Sequence, residues 1–386
     1  MKFSLLLIFA FLFCLFSAVA ADEQAEPFRV RDRMLEVGFA GINYGFSNNF
    51  IGVFGLLPQG VVDIDNVNND LSVKSNTLFM PRYFSYRRDN IWGIGFSTTF
   101  EAFGFANVPE SLLSLGEARN DTSVIRAAAF TGINAFGFFH IQNLKVRLGT
   151  SLLQPIGFVI ANAYYTNYTG GDKAEMGLSY FLRVYTMGPL ENSTGGISSL
   201  PGVDFSIGFE YPLSGSFTAG LDIANIPFIP SILGSYMELV GFASINELED
   251  FDDFGNFLES NSGGIIHGAS NRRLFRPFKM LAWADWRPLE SELLSVIPSF
   301  GFAVNALYVQ PVSAEGGFIV RLNFSNLFIP SIGVSYTDRL WKNSLDLILN
   351  FRFFELNFGL DMRAENFVQS WQGYAFGVRV GFKLGW

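Results

Sequence analysis

The last thirteen residues, Tyr374 to Trp386, read YAFGVRVGFKLGW and alternate with a period of two. Tyr374, Phe376, Val378, Val380, Phe382, Leu384 and Trp386 fall on one face, and Ala375, Gly377, Arg379, Gly381, Lys383 and Gly385 on the other. A β-strand sends successive side chains to opposite sides of its sheet, so this segment separates an apolar surface from a small or basic one. About ten residues of tilted strand cross a hydrocarbon layer, and aromatics near both ends suit the interfacial girdles of a lipid-facing strand. The competing reading is a sandwich strand whose polar face meets water.

Similar stretches recur from Met34 onward: Met34 to Phe46, Thr77 to Tyr86, Ile91 to Phe103, Ser123 to Phe139, and Leu144 to Ile160 with a bend expected at Pro155 and Gly157. Glu175 to Met187, Leu274 to Trp286, Ser299 to Val309, Gly317 to Ser325 and Ser331 to Thr337 follow, together with two hairpins and the terminal strand. With the strand that Pro230 opens after IPFIP the count is sixteen, with fourteen as the alternative. Pro-containing pieces such as IPFIP and LFIP, and the turn FFE, are expected on the same side as the two termini, as short periplasmic turns.

The hairpins can be assigned a register. From Val203 to Ile223 the apolar set is odd on both arms, which requires an odd loop; Leu213, Ser214 and Gly215 supply one and place Phe209 opposite Ala219 and Ile207 opposite Leu221. From Leu345 to Met362 the set changes from odd to even, which requires an even loop and places Phe351 opposite Leu356 and Leu349 opposite Phe358. The inward face then carries Asp346, Asn350, Arg352, Glu355, Asn357, Asp361 and Arg363. A continuous strand with a bulge is the competing reading there.

Composition narrows the class. Hydrophobic residues make up 49% of the chain and mean hydropathy is +0.27, yet after the first twenty residues no uncharged run is long enough for a membrane helix. Only helices and closed barrels satisfy their backbone polar groups in lipid. The expected fold is therefore all-β, a closed antiparallel transmembrane β-barrel of 14 to 16 strands with short helices in the outer loops. Phe occurs 44 times and Gly 39 times, which suits strands with bulk on one face and small residues on the other.

Met1 to Ala20 has the form of a cleaved signal peptide: Lys2, an apolar core from Leu5 to Phe16, then Ala18, Val19 and Ala20. Its core holds the one cysteine, Cys14, so the mature chain expected from residue 21 to residue 386 has no thiol. Residues 47–76 read as a long outer loop or an inward plug, and residues 244–273 as the longest loop, acidic from Glu247 to Glu259, with an amphipathic helix started by the Ser244 and Glu247 capping box. Asp250, Asp252, Asp253 and Glu259 lack the spacing of a dedicated calcium site.

Candidate chemistry is sparse. His140 and His267 are the two histidines, and neither accompanies a nucleophile motif, so the chain is not expected to be an enzyme. No cofactor and no metal are expected. The net charge of −9 argues against nucleic acid as a partner. The expected partners are outer-membrane lipid, a hydrophobic small-molecule substrate, and the barrel-assembly machinery through the C-terminal strand; the expected location is the cell outer membrane.

The chain length, the C-terminal aromatic strand, the abundance of Phe and the apolar loop pieces FIGVFGLL (50–57) and PESLLSL (109–115) resemble outer-membrane barrels of the long-chain fatty acid transporter family. That resemblance implies passive uptake of hydrophobic small molecules, long-chain fatty acids first, through an apolar outer groove and a gated lumen. Phe50, Phe54, Leu56, Leu112, Leu113, Phe251 and Phe254 would form the capture surface, and Arg379 or Lys383 would meet a carboxylate inside. The family's Asn-Pro-Ala plug motif is absent from this chain. For the two cations the alternative is pairing with Glu355 and Asp361 on the adjacent strand. The alternative functions are a general diffusion porin and a surface adhesin or structural barrel acting through its outer loops.

Overall fold

The computed structural model describes residues 34–48, 71–88, 91–109, 122–170, 173–187, 199–245, 265–289, 293–308, 311–351, 353–371 and 375–385. Its strands are β1 (Leu35–Asn48), β2 (Leu71–Arg88), β3 (Trp92–Val108), β4 (Thr122–Ile141), β5 (Leu144–Gly170), β6 (Lys173–Thr186), β7 (Gly202–Ser214), β8 (Phe217–Ile229) and β9 (Ser231–Ile245). They continue with β10 (Ile265–Leu274), β11 (Phe278–Trp286), β12 (Leu294–Val304), β13 (Val312–Leu322), β14 (Phe328–Thr337), β15 (Leu340–Asn350), β16 (Phe354–Ala364) and β17 (Ala375–Gly385).

Fourteen of these close a ring of antiparallel pairs. β1 pairs with β2 on one side and β17 on the other, so the sheet has no edge at its seam. Around the ring β5 pairs with β7, β7 with β8 and β8 with β11. The upper half of β5 pairs instead with β6, then β6 with β9 and β9 with β10, so these three strands extend one side of the wall. The wall is lopsided in consequence. β3, β4 and β5 run for 17, 20 and 27 residues, whereas β11 has 9 and β17 has 11.

The alternation of β17 holds in three dimensions. Phe376, Val380 and Leu384 are exposed on the outside, while Ala375, Gly377 and Gly385 are buried. The same outward surface carries Ile94, Phe96, Ile133, Leu152, Phe300, Phe318, Leu345 and Leu360, all exposed, which is the surface of a barrel embedded in lipid. Aromatic groups gather at its two ends: Tyr86 with Trp92, ring centroids 5.6 Å apart, near the terminal side, and Trp341 with Phe367, 5.1 Å apart, at the other. Among the described residues the one short helical element is a 3-10 turn, Gln369–Trp371. Of the segments where outer helices were expected, residues 110–121 and 246–264 lie outside the described residues, whereas Ser244 and Ile245, expected to open the second helix, instead end β9 in register with Gly177 and Met176 of β6.

Both hairpins keep the expected parity and shift by two residues. Phe209 pairs with Leu221 and Ile207 with Ile223, because the loop is a tight Gly215 and Ser216 turn plus a bulge between Pro212 and Ser214. Leu349 pairs with Leu356 and Leu347 with Phe358; the Phe351 amide donates to the Phe354 carbonyl at 2.8 Å, and the two rings stack at 4.6 Å. Parity follows from which face is apolar, whereas the tighter closure brings two aromatic rings together, a gain that alternation does not encode.

Two connections differ from the sequence reading. IPFIP is no turn on the terminal side: Ile226 to Ile229 finish β8, Pro230 interrupts, and the chain runs on outward as β9. The prolines are tolerated because the β8–β11 ladder has already ended at Ala224 and Lys279, leaving that edge without a partner for the missing donor. Likewise Ile265 to Leu274 is strand β10, so Arg272 and Arg273 sit in the wall and not in the long loop. Residues 71–76, read as part of the loop or plug, begin β2.

Candidate functional site in the barrel lumen

Between β10 and β11 the residues Phe275, Arg276 and Pro277 leave the sheet. The β8–β11 ladder stops at Ala224 and Lys279, and the β9–β10 ladder starts at Ser231 and Leu274, so nothing pairs with this link from the wall. Pro277 has no amide to offer. Asn225 takes a left-handed conformation, φ 57°, and its side-chain amide donates to the Pro277 carbonyl at 2.8 Å. The link turns inward and carries Arg276 into the lumen.

There the guanidinium is surrounded. Nε and Nη2 donate to the two carboxylate oxygens of Asp204 on β7 at 2.8 and 2.7 Å, Nη1 donates to Glu101 on β3 at 2.7 Å, and Nη2 also reaches Ser151 on β5 at 2.8 Å. The Arg276 side chain is 1% exposed. A fork that meets a carboxylate with two parallel bonds is the strongest ion-pair geometry available to a side chain. One cation here ties three strands on the facing wall to the inward link.

One inward position further out on each strand, the polar group gives way to an apolar one: Glu101 to Phe103, Ser151 to Leu153, Arg276 to Leu274. These residues join Ala128, Phe130, Phe158, Tyr185 and Leu233 in a buried cluster that fills the lumen. Leu307 completes it from the opposite wall. Residues 305–308, between β12 and β13, fold inward: the Leu307 amide donates to Asn305 Oδ1 at 3.0 Å, Arg126 on β4 donates to the Leu307 carbonyl at 3.3 Å, and the Tyr308 ring meets Phe105 edge-on at 5.5 Å. The ionic layer and the apolar layer together form a septum across the barrel.

On the outer side, within the tall wall, lies a tier of cations and aromatic rings. Arg183 pairs with Glu238 and stands over Tyr236 at 4.8 Å. Arg272 stacks on Phe158 at 4.7 Å and on Tyr185 at 5.9 Å; it is exposed and its guanidinium has no carboxylate partner among the described residues. Arg272, Leu274 and Arg276 are thus three successive inward positions in one segment, serving the vestibule, the apolar layer and the ionic layer.

On the inner side the lumen is polar. A cavity of about 270 Å³ is lined by Glu315, Lys342, Asp346, Glu355, Asn357, Arg379 and Lys383, with Tyr83, Trp283 and Ile297. Arg379 pairs with Asp346 at 2.6 Å and Lys383 with Glu355 at 3.6 Å. Asp361 pairs with Arg363, which reaches on to Asn76 at 3.0 Å. Of the residues singled out from the sequence, Arg379 and Lys383 therefore lie in this inner chamber and are both ion-paired. Phe50, Phe54, Leu56, Leu112, Leu113, Phe251 and Phe254 lie outside the described residues, as do Asp250, Asp252, Asp253 and Glu259.

Sequence reasoning missed Arg276, Glu101 and Asp204. A usable signal existed: Glu101 is the single charge of an otherwise apolar or small strand, WGIGFSTTFEAFGF, Asp204 is an inward-parity charge in VDFSIGFE, which it shares with Glu210, and Arg276 stands directly before a proline at a strand end. His140 closes β4, exposed, with its ring edge-on to Phe138 at 5.9 Å. Among the described residues no three potential ligands gather to hold a metal.

No protein-family model matches the chain, and no curated protein matches it in sequence. Solved structures do. The toluene transporter TbuX of Ralstonia pickettii aligns over 91% of this chain and 89% of its own, at 10% identity and a TM-score of 0.48. The P. putida toluene transporter TodX aligns over 92% and 91% at 11% identity and a TM-score of 0.45. The translocator domain of the autotransporter NalP from Neisseria meningitidis aligns over 94% and 92% at 9% identity and a TM-score of 0.36.

Proposed function

We propose that this protein is an outer-membrane channel for passive uptake of hydrophobic small molecules, with long-chain fatty acids as the first substrate class to test. The observation that carries the reading is the outer, apolar layer of the septum: Phe103, Phe130, Leu153, Phe158, Leu233, Leu274 and Leu307 put carbon across the lumen, beneath Arg272, which is backed by two rings and has no carboxylate partner among the described residues. A carboxylate head at Arg272 and an apolar tail toward the cluster would satisfy both.

The charged chamber beneath the septum favours a general diffusion porin as the second reading, since such pores are lined by charge around water. The packed apolar layer opposes it. Planar-bilayer conductance together with titration of a fluorescent fatty acid separates the two. Low conductance with saturable probe binding supports uptake of hydrophobic molecules; steady ion current without probe binding replaces it with the porin.

A further inference from the structure

Arg82 on β2 stands on the outer surface of the barrel. It pairs in register with Phe39 of β1 and Thr98 of β3. Phe39 is 49% exposed, and Phe84, the next residue on the same face of β2, is 41% exposed; Arg82 itself is exposed, while its sequence neighbour Tyr83 is buried against Gly38 on the inner face. A guanidinium therefore lies among phenylalanines on a surface built for hydrocarbon.

Its depth follows from the strand. Tyr86 and Trp92 mark the interfacial girdle at the terminal end of the wall, and Arg82 is four residues further in. At roughly 3.3 Å per residue and a tilt of 35–45°, that is about 10 Å into an apolar band about 25 Å tall. A charge at such a depth is retained only with a partner or by reaching back toward the headgroups.

The wall supplies partners for other outward polar groups. Thr131 donates to the Thr99 carbonyl, Thr150 to the Asp204 carbonyl, and Asn343 to Ser370. Arg82 has no side-chain partner among the described residues. The adjoining Thr98 hydroxyl also lacks one. Both ladders slip at this point, between Phe39 and Ile42 against β17 and between Phe79 and Arg82 against β3, and bulges re-aim side chains.

We infer that Arg82 is a lipid-binding site that holds the phosphate of a glycerophospholipid in the leaflet nearer the termini. Its three-dimensional setting matches that occupant: Phe39 and Phe84 flank the acyl chains, and the guanidinium fork takes two phosphate oxygens. A soluble anion would gain the fork and lose the apolar flanks.

The test is thermal unfolding of the full-length protein in a mild detergent, with phosphatidylglycerol, with diacylglycerol of the same chains, or with inorganic phosphate added. The wild type and Arg82→Lys should gain several degrees with phosphatidylglycerol and little with the other two; Arg82→Leu should lose that gain while still showing the heat-dependent gel shift of a folded barrel. An equal response of Arg82→Leu to phosphatidylglycerol overturns the site. So does equal stabilisation by diacylglycerol, which would mean apolar contact alone, or by inorganic phosphate, which would mean a free-anion site.

Discussion

Arg379 on β17 donates to Asp346 on β15 at 2.6 Å, passing over the intervening strand at Gly359. The register makes this an aligned row, Asp346 opposite Gly359 and Gly359 opposite Arg379. A Cβ at Gly359 would collide with the Asp346 carboxylate and lie 2.8 Å from Arg379 Nε. The same device recurs where Arg147 meets Asp222 at 2.6 Å across Gly208. Glycine on the inner face is therefore the space through which long charged side chains on alternate strands reach each other. Gly359→Val is expected to break the pair and lower stability by about 1–3 kcal/mol, the usual cost of forcing bulk into a packed site. Urea-dependent unfolding from lipid vesicles reads this; unchanged stability would mean that the row relaxes freely.

The septum depends on Arg276. Arg276→Ala strands the Glu101 and Asp204 carboxylates in a buried site, which should cost about 3–5 kcal/mol, and it removes the tie between the inward link and the facing wall. Single-channel conductance should rise above that of the wild type. Combining Arg276→Met with Glu101→Gln and Asp204→Asn should recover much of the stability, since neutral groups of similar volume need no counter-charge. Recovery without any change in conductance would show that the apolar layer alone seals the lumen.

Arg272→Ala is expected to weaken binding of a long-chain fatty acid roughly fivefold, the ~1 kcal/mol of a partly exposed charge contact, with conductance unchanged. The methyl ester of the same acid should bind wild type and variant alike. Arg379→Ala serves as the comparison, since its guanidinium already has Asp346 as partner and lies on the far side of the septum. A larger loss with Arg379→Ala than with Arg272→Ala would move the carboxylate contact into the inner chamber.

Phe300 lies in the middle of β12 and is 74% exposed. Phe300→Arg should reduce folding into bilayers by about 2–4 kcal/mol, the cost of a basic side chain near the midplane of a barrel's lipid face. Phe300→Leu should be nearly neutral. If both variants fold alike in vesicles, this face of β12 does not meet hydrocarbon.

The outward set of β17, the membrane-crossing sheet, and the inward positions of Asp346, Glu355, Asn357, Asp361 and Arg363 follow from a period of two, a local property that every correct pairing must respect. The parity of both hairpins was legible for the same reason. Their registers were each two residues away, because closing a turn is decided by contacts such as the stack of Phe351 on Phe354. IPFIP was misread because proline marks either a turn or an unpaired edge, and only the neighbouring ladder tells which.

By itself, the order of apolar and polar residues determined that this chain forms a sheet with one face for lipid and one for water, since alternation is a covalent consequence of the strand. Tertiary structure decided what stands in the middle of that sheet once it closes. Glu101, Ser151, Asp204 and Arg276 are separated by as many as 175 residues in the chain, and they meet because ring closure and an unpaired three-residue link bring opposite walls within hydrogen-bonding distance. Local pattern cannot report such a meeting, for it depends on which strands face one another across the lumen.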